Sequence, residues 1–133
     1  MATVTPRNVQ KTNGFALWLE ALKDHVGKAA ITDRIERLER GTLGDVHPVE
    51  GAPGLYELRV FVGPGYRVYF ITVGKTIILL LCGGDKSTQA NDIRRAKNVL
   101  EDIKKQNAAV RKTREETDRA AEKARKSKTS KRK

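Results

Sequence analysis

Three runs rich in β-branched and aromatic residues lie between Leu55 and Gln89, and tight glycine-bearing turns separate them. This spacing predicts an antiparallel meander, with Gly63-Pro64-Gly65 closing the first hairpin and Gly74-Lys75 the second. Glycine supplies the positive φ that such turns need. Side chains on a strand alternate between two faces. In Leu55–Val62, Tyr56, Leu58, Val60 and Val62 share one face, and Glu57, Arg59 and Phe61 the other. In Tyr66–Val73, Arg67, Tyr69 and Ile71 oppose Tyr66, Val68 and Phe70. A three-residue loop at Gly63–Gly65 pairs Val62 with Tyr66, which sets Arg59 across from Tyr69 and Phe61 across from Arg67. A four-residue loop breaks that arrangement, because a one-residue slip sends a strand's side chains to the other face. A core strand has no structural need for Arg59, Arg67 and Tyr69 at its centre, nor for a loop carrying Asp85 and Lys86 at its far end.

A chain of 133 residues is sized for one domain with a single modest core. Its 38% hydrophobic and 32% charged residues predict a soluble protein. No apolar run is long enough to span a bilayer, and the longest, Thr76–Cys82, reads as a buried strand. The opening MATVTPRNVQ lacks the apolar core of a signal peptide. Cys82, the only cysteine, cannot form an internal disulfide and reads as a small buried side chain. Two histidines and one cysteine are too few for a metal constellation. A cytoplasmic protein without a cofactor is expected. The net charge of +11 is uneven: residues 104–133 hold 13 Lys/Arg and 4 Asp/Glu, a net of +9, against 14 and 12, a net of +2, in residues 1–103. The basicity belongs to the tail, so any argument from charge to nucleic acid must be made separately for the two parts.

Ahead of the meander, residues 2–11 can include a short edge strand, with Thr3 to Thr5 β-prone and Pro6 limiting it to a sheet edge. Thr12 or Asn13 can cap a helix from Gly14 to about Lys23, with Phe15, Trp18, Leu19 and Leu22 as its buried stripe. Gly27 reads as turn punctuation. A second helix, Lys28 to Arg40, buries Ile31, Ile35 and Leu38, exposes Asp33, Arg34, Glu36 and Arg37, and stops at Gly41. The two suggest an antiparallel helical hairpin laid on a sheet of three to four strands. Gly41–Gly54 reads as a loop. Ser87 or Thr88 can cap a third helix with Ile93, Ala96, Leu100 and Ile103 on its apolar face. Residues 104–126 can continue as a solvated helix, and Lys126–Lys133 reads as disordered. The expected domains are thus residues 1–103 and a basic extension, 104–133.

The segments ELRVFVGPGYRVYF and LLLCGGDKSTQANDIRRA resemble the RelE/ParE superfamily of bacterial type II toxins, and most closely its HigB-like addiction module killer branch. Phe15, Trp18 and Leu19, the helix ending RLERG, and Gly44-Asp45 fit the same pattern. The resemblance runs from about Phe15 to Ile103. It implies a small α+β domain with a helical hairpin against a twisted antiparallel sheet and a closing helix. It also implies a metal-independent endoribonuclease that cuts mRNA in the A site of the 30S ribosomal subunit and is silenced by a cognate antitoxin. In such a reaction the ribose 2′-hydroxyl attacks its own phosphate in line, leaving a 2′,3′-cyclic phosphate and a 5′-hydroxyl.

That chemistry asks for fixed cations around the phosphoryl oxygens. The resemblance assigns Arg67 to the scissile phosphate, Arg59 to phosphate holding, and Lys86 to the region of the leaving group. Arginine suits bidentate phosphate contact, whereas lysine acts as a point charge. Tyr69 is expected to stack on a base or brace Arg67. His47, in HPVEG, resembles a segment where some HigB toxins carry a functional histidine suited to proton transfer. Asp85 is the second acid–base candidate. Gln89, Lys104, Lys105, Arg111 and Lys112 complete the expected RNA contacts.

Each residue also has a plain structural reading. Arg59 can pair with Glu57 and Asp45 at the surface, Asp85 and Lys86 can form a turn and helix cap, and His47 can be an ordinary loop histidine. Gly83-Gly84 lacks Walker spacing and reads as a turn. Two other functions compete: a ParE-like inhibitor of a protein target such as gyrase, and a nucleic-acid-binding module that relies on the salt-sensitive tail.

Overall fold

The computed structural model describes residues 8–74 and 76–108. The Thr3–Thr5 strand, Lys75 in the second turn, Arg111 and Lys112, and the tail beyond residue 108 lie outside the described residues. The chain divides into two units, Met1–Leu100 and Glu101–Lys133. Along the first run β1 (Asn8–Lys11), α1 (Asn13–Ala21), α2 (His25–Glu39), β2 (Val46–Pro48), β3 (Leu55–Val60), β4 (Tyr66–Val73) and β5 (Ile77–Asp85). A 3₁₀ turn, Lys86–Thr88, leads into α3, helical over residues 89–108.

Local chemistry accounts for the helix ends. Thr12 caps α1 by accepting from the Phe15 N–H, and its hydroxyl donates to the Leu81 carbonyl at 2.8 Å. Asp24 caps α2 through the Gly27 N–H. At the far end of α2 the Gly41 N–H bonds the Leu38 carbonyl and the Thr42 N–H that of Arg37, a Schellman closure around a glycine at φ 92°. Helix α2 thus begins three residues earlier than expected, and Gly27 lies inside its first turn. A Cβ at Gly27 would sit 2.4 Å from the Tyr66 ring, so the glycine there serves a close approach. Arg34 is half-buried rather than exposed, because its guanidinium donates to the carbonyls of Arg59 and Leu43.

The sheet has five strands in the order β1-β5-β4-β3-β2. The meander β3-β4-β5 is antiparallel as expected, but β1 adds to β5 in parallel, making the sheet mixed. Strand β2 arises inside the expected loop and pairs antiparallel with β3, with Pro48 at the sheet edge that proline tolerates. Both are short edge strands without alternating burial; β1 falls within the residues 2–11 expected to include one, whereas β2 was not expected. Helix α1 packs on β5 and β1, and α2 on β1 and β3, so the sheet is their main neighbour.

The first hairpin pairs Val60 with Tyr66, two positions along from the expected Val62 pairing. Its loop is therefore five residues, Phe61 to Gly65. A two-residue shift preserves every side chain's face. Consequently Arg59 lies directly across from Arg67, and Glu57 across from Tyr69. On the face toward α1 and α2, Leu58, Val60, Val68, Phe70, Ile78 and Leu80 join Phe15, Leu19, Ile31, Ile35 and Leu38 in one core. A bulge pairs Tyr69 with Cys82 but Phe70 with Leu80, so β5 changes phase there. Gly83 then faces the α1 side, where a Cβ would lie 2.4 Å from the Trp18 ring, and Gly84 faces α3, where one would lie 1.7 Å from the Asp92 carboxylate. Both glycines are strand residues that admit close packing, not turn residues.

Candidate functional site

The second face of the sheet is polar at its centre. Arg59 and Arg67 stand opposite each other on β3 and β4, a pairing that like charges disfavour on their own. Glu57 resolves it. Its Oε1 accepts from Arg59 Nε at 2.8 Å and from Arg67 Nη1, while Gln89 Nε2 approaches its Oε2 at 3.5 Å. Glu57 is only 4% exposed, so this carboxylate is buried beneath the two guanidiniums. Their side chains keep 37% and 15% exposure for Arg59 and Arg67, respectively. One anion beneath two cations leaves a fixed excess of positive charge at the surface.

That excess opens onto a cleft of about 140 Å³ lined by Arg59, Val60, Phe61, Gly65, Tyr66, Arg67 and Lys86. Lys86 is brought there because its N–H bonds the Gly65 carbonyl at 2.9 Å, tying the end of β5 to the first hairpin turn. Three of the five expected catalytic residues thus share one cleft. Burial raises the Tyr69 hydroxyl well above the ordinary tyrosine range, and neighbouring Glu57 adds to the shift. Tyr69 is 0% exposed and its hydroxyl has no hydrogen-bond partner among the described residues, so it cannot offer a ring face to a base. Its hydroxyl makes no hydrogen bond to Arg67, whose brace is Glu57.

The family model "Phage derived protein Gp49-like (DUF891)" matches residues 17–126 of this chain. The protein belongs to the Gp49-like family. The match extends past Ile103, where the sequence resemblance was expected to end, and takes in much of the basic extension. An uncharacterized protein of Haemophilus influenzae is 43% identical over 95 residues, covering 71% of this chain and 94% of its own. Among solved structures, a mutant of the Escherichia coli toxin RelE in the free state superposes with a TM-score of 0.54 at 14% identity, covering 70% of this chain and 95% of that one. The RelE of the archaeal RelE–RelB complex from Pyrococcus horikoshii gives a TM-score of 0.48 at 20% identity, with 62% and 97% covered. The first of these superpositions shows that this Gp49-like chain has the RelE-like α+β fold anticipated from its sequence.

The remaining expected site residues fall elsewhere. His47 stands on β2 across from Glu57, with Nε2 2.5 Å from Asp45 Oδ1, and does not line the cleft. Asp85 is the cap of the 3₁₀ turn, accepting from the Ser87 N–H at 2.8 Å and from the Ser87 hydroxyl. Lys104 and Lys105 lie in the second unit, Lys104 within 4.0 Å of Glu101. Two functional-looking groups escaped the sequence reading. Asp92 is 4% exposed and accepts from the Thr88 hydroxyl at 2.5 Å, and Phe61 projects openly beside the cations. Cys82 is buried, its thiol pushed up to about 12 by burial first and by Asp92 second, so it is a poor nucleophile. Among the described residues, no helix is long and apolar enough to cross a membrane.

Proposed function

We propose that this protein is the toxin of a type II toxin–antitoxin pair and acts as a metal-independent mRNA endoribonuclease on the ribosome. The observation that carries this reading is the gathering of Arg59, Arg67 and Lys86 around one cleft, with the two arginines fixed from beneath by a buried carboxylate. A phosphodiester in that cleft meets fixed positive charge where its transition state develops negative charge, and the cations need not reorganise as it forms. Arg67, the more buried and so the better fixed of the pair, takes the scissile phosphoryl oxygens. Arg59 supports it with a bidentate-capable fork. The ribose 2′-hydroxyl gives its proton to solvent water, and its oxygen bonds to phosphorus as the bond to the 5′-oxygen breaks. Lys86, exposed and forming no ion pair among the described residues, supplies the proton that the departing 5′-oxygen needs. His47 and Asp85 stand outside the cleft, so charge stabilisation carries more of this account than acid–base pairing. The RelE-like fold and the motif resemblance support an antitoxin as partner and a cytoplasmic setting. The 13 cations of residues 104–133 add sequence-independent affinity for ribosomal RNA.

The test is induction of wild type and Arg67→Ala side by side, with growth followed and transcript ends mapped. Growth arrest with new 5′-hydroxyl ends inside translated messages, both lost in the variant, is the expected result. Arrest without new RNA ends would replace this reading with that of a ParE-like inhibitor of a protein target.

A further inference from the structure

Phe61 is 78% exposed, the most exposed of the large apolar side chains among the described residues and the only aromatic one in that set. Leaving a phenyl ring in water forgoes the gain of burying it, so such a ring draws attention when it borders a charged site. It lines the same cleft as Arg59, Arg67 and Lys86. Tyr66, the other aromatic of that lining, is buried, and its hydroxyl donates to Asp24 at 2.7 Å, so its ring is committed. Phe61 also starts a well-tied turn. The Val62 N–H bonds the Val60 carbonyl, the Gly65 N–H bonds Val62, and Gly63 and Gly65 hold the positive φ values of 55° and 81° that let the chain reverse. The ring is thus presented beside the cations from a fixed platform.

A single-stranded nucleotide offers both an anionic phosphate and a flat base, and proteins that grip such strands combine cations with aromatic platforms. An acidic protein segment could also meet three adjoining cations, and the test below separates it from RNA. We propose that Phe61 stacks on a base of the RNA strand whose phosphate is held by Arg59, Arg67 and Lys86. The proposal rests on the nuclease reading above and adds a base-contacting residue to it. Stacking is tolerant of base identity, so Phe61 adds affinity and register more than a strict sequence code. The stacking role expected of Tyr69 passes to a residue two positions before Gly63.

The probe is a short mRNA carrying 2-aminopurine, made uncleavable by 2′-O-methylation, presented to the full-length protein both free and loaded on ribosomes. Wild type is expected to quench the 2-aminopurine fluorescence on binding in the ribosome-loaded arm at least. Phe61→Ala and Phe61→Leu should abolish the quench and weaken binding by roughly five- to a hundredfold, the range measured for losing one stacked base. Phe61→Tyr and Phe61→Trp should restore both. The thermal midpoint should not move in any of the four, since the ring touches little else. Salt dependence separates the roles: Phe61→Ala should leave the slope of log affinity against log salt unchanged, whereas Arg67→Ala should reduce it by about 0.7. Binding and quenching by Phe61→Ala equal to wild type would overturn the stacking proposal while leaving the nuclease reading intact. So would normal RNA binding by Phe61→Ala combined with loss of the antitoxin, which would assign the ring to a protein partner. Failure of wild type to bind in either arm would overturn both.

Discussion

On the sheet face covered by α1 and α2, Leu58, Val68 and Phe70 are buried among apolar neighbours; on the opposite face, the adjacent residues of the same strands are Glu57, Arg67 and Tyr69. The first face is closed by apolar packing, to which the hydrogen bond from the Tyr66 hydroxyl to Asp24 is added. The centre of the second holds a buried carboxylate under two guanidiniums, a half-buried histidine–aspartate pair at its edge and a tyrosine hydroxyl that has no hydrogen-bond partner among the described residues. Buried polar groups are stabilising only when fully paired, so the second face sacrifices some stability for fixed charge. The main core lies on one face; the other also buries Leu55 and Ile71 but gives its centre to the proposed chemistry.

This division can be broken most forcefully from the apolar side. Phe70→Ala removes a ring that is 1% exposed, stacked on Tyr56 and part of the main core. It should cost about 3–5 kcal/mol in denaturant unfolding. Cleavage per folded molecule should persist, because no cleft residue changes.

A smaller and more telling effect comes from Glu57→Gln. The amide keeps the shape but removes the anion that both arginines share, so two guanidiniums face each other with less to hold them. A stability loss of about 1–3 kcal/mol is expected from the weakened buried network. Turnover should fall with little change in substrate affinity, because the cations remain but lose their fixed aim. A stability loss with unchanged turnover would make Glu57 a purely structural residue and return its face to the fold.

The least effect is expected at Tyr66→Phe, and pH sharpens it. The Tyr66 hydroxyl, and after it the Gly27 N–H, holds the Asp24 carboxyl below its ordinary range. In turn the bond to Asp24 pushes the Tyr66 hydroxyl up to about 12. A depressed carboxylate stabilises the folded state above its unfolded pKa and loses that contribution as pH falls through the depressed value. A raised phenol contributes below its unfolded value, and the contribution disappears as pH rises toward 12. The stability gap between wild type and Tyr66→Phe should therefore be widest between about pH 5 and 9, and close on both sides. Unfolding midpoints across pH measure this directly.

How much of this was legible in the sequence follows the same division. The apolar face was readable because Phe15, Leu19, Ile31, Ile35, Leu58, Val68 and Phe70 obey the periods of their own elements. Faces of the meander were readable too, since the true five-residue loop differs from the expected three by an even number. What pairs with what was not. Arg59 opposite Arg67, Glu57 beneath both and Phe61 in the turn all depend on that register. Glycines gave the least local warning: Gly27, Gly83 and Gly84 answer to Tyr66, Trp18 and Asp92, contacts made across the fold. Strand β2 was hidden because three residues at an edge leave no pattern, although HPVEG had already singled out His47.

The most direct test of the central claim, that the fixed cations of the second face perform the chemistry, is the single-turnover cleavage rate of mRNA on programmed ribosomes by wild type and Arg67→Ala, with thermal midpoints measured on the same samples. The rate in Arg67→Ala should be lower by roughly a hundred- to a thousandfold, the size of losing one transition-state charge contact, with most molecules still folded. Equal rates for the two folded proteins would contradict the claim.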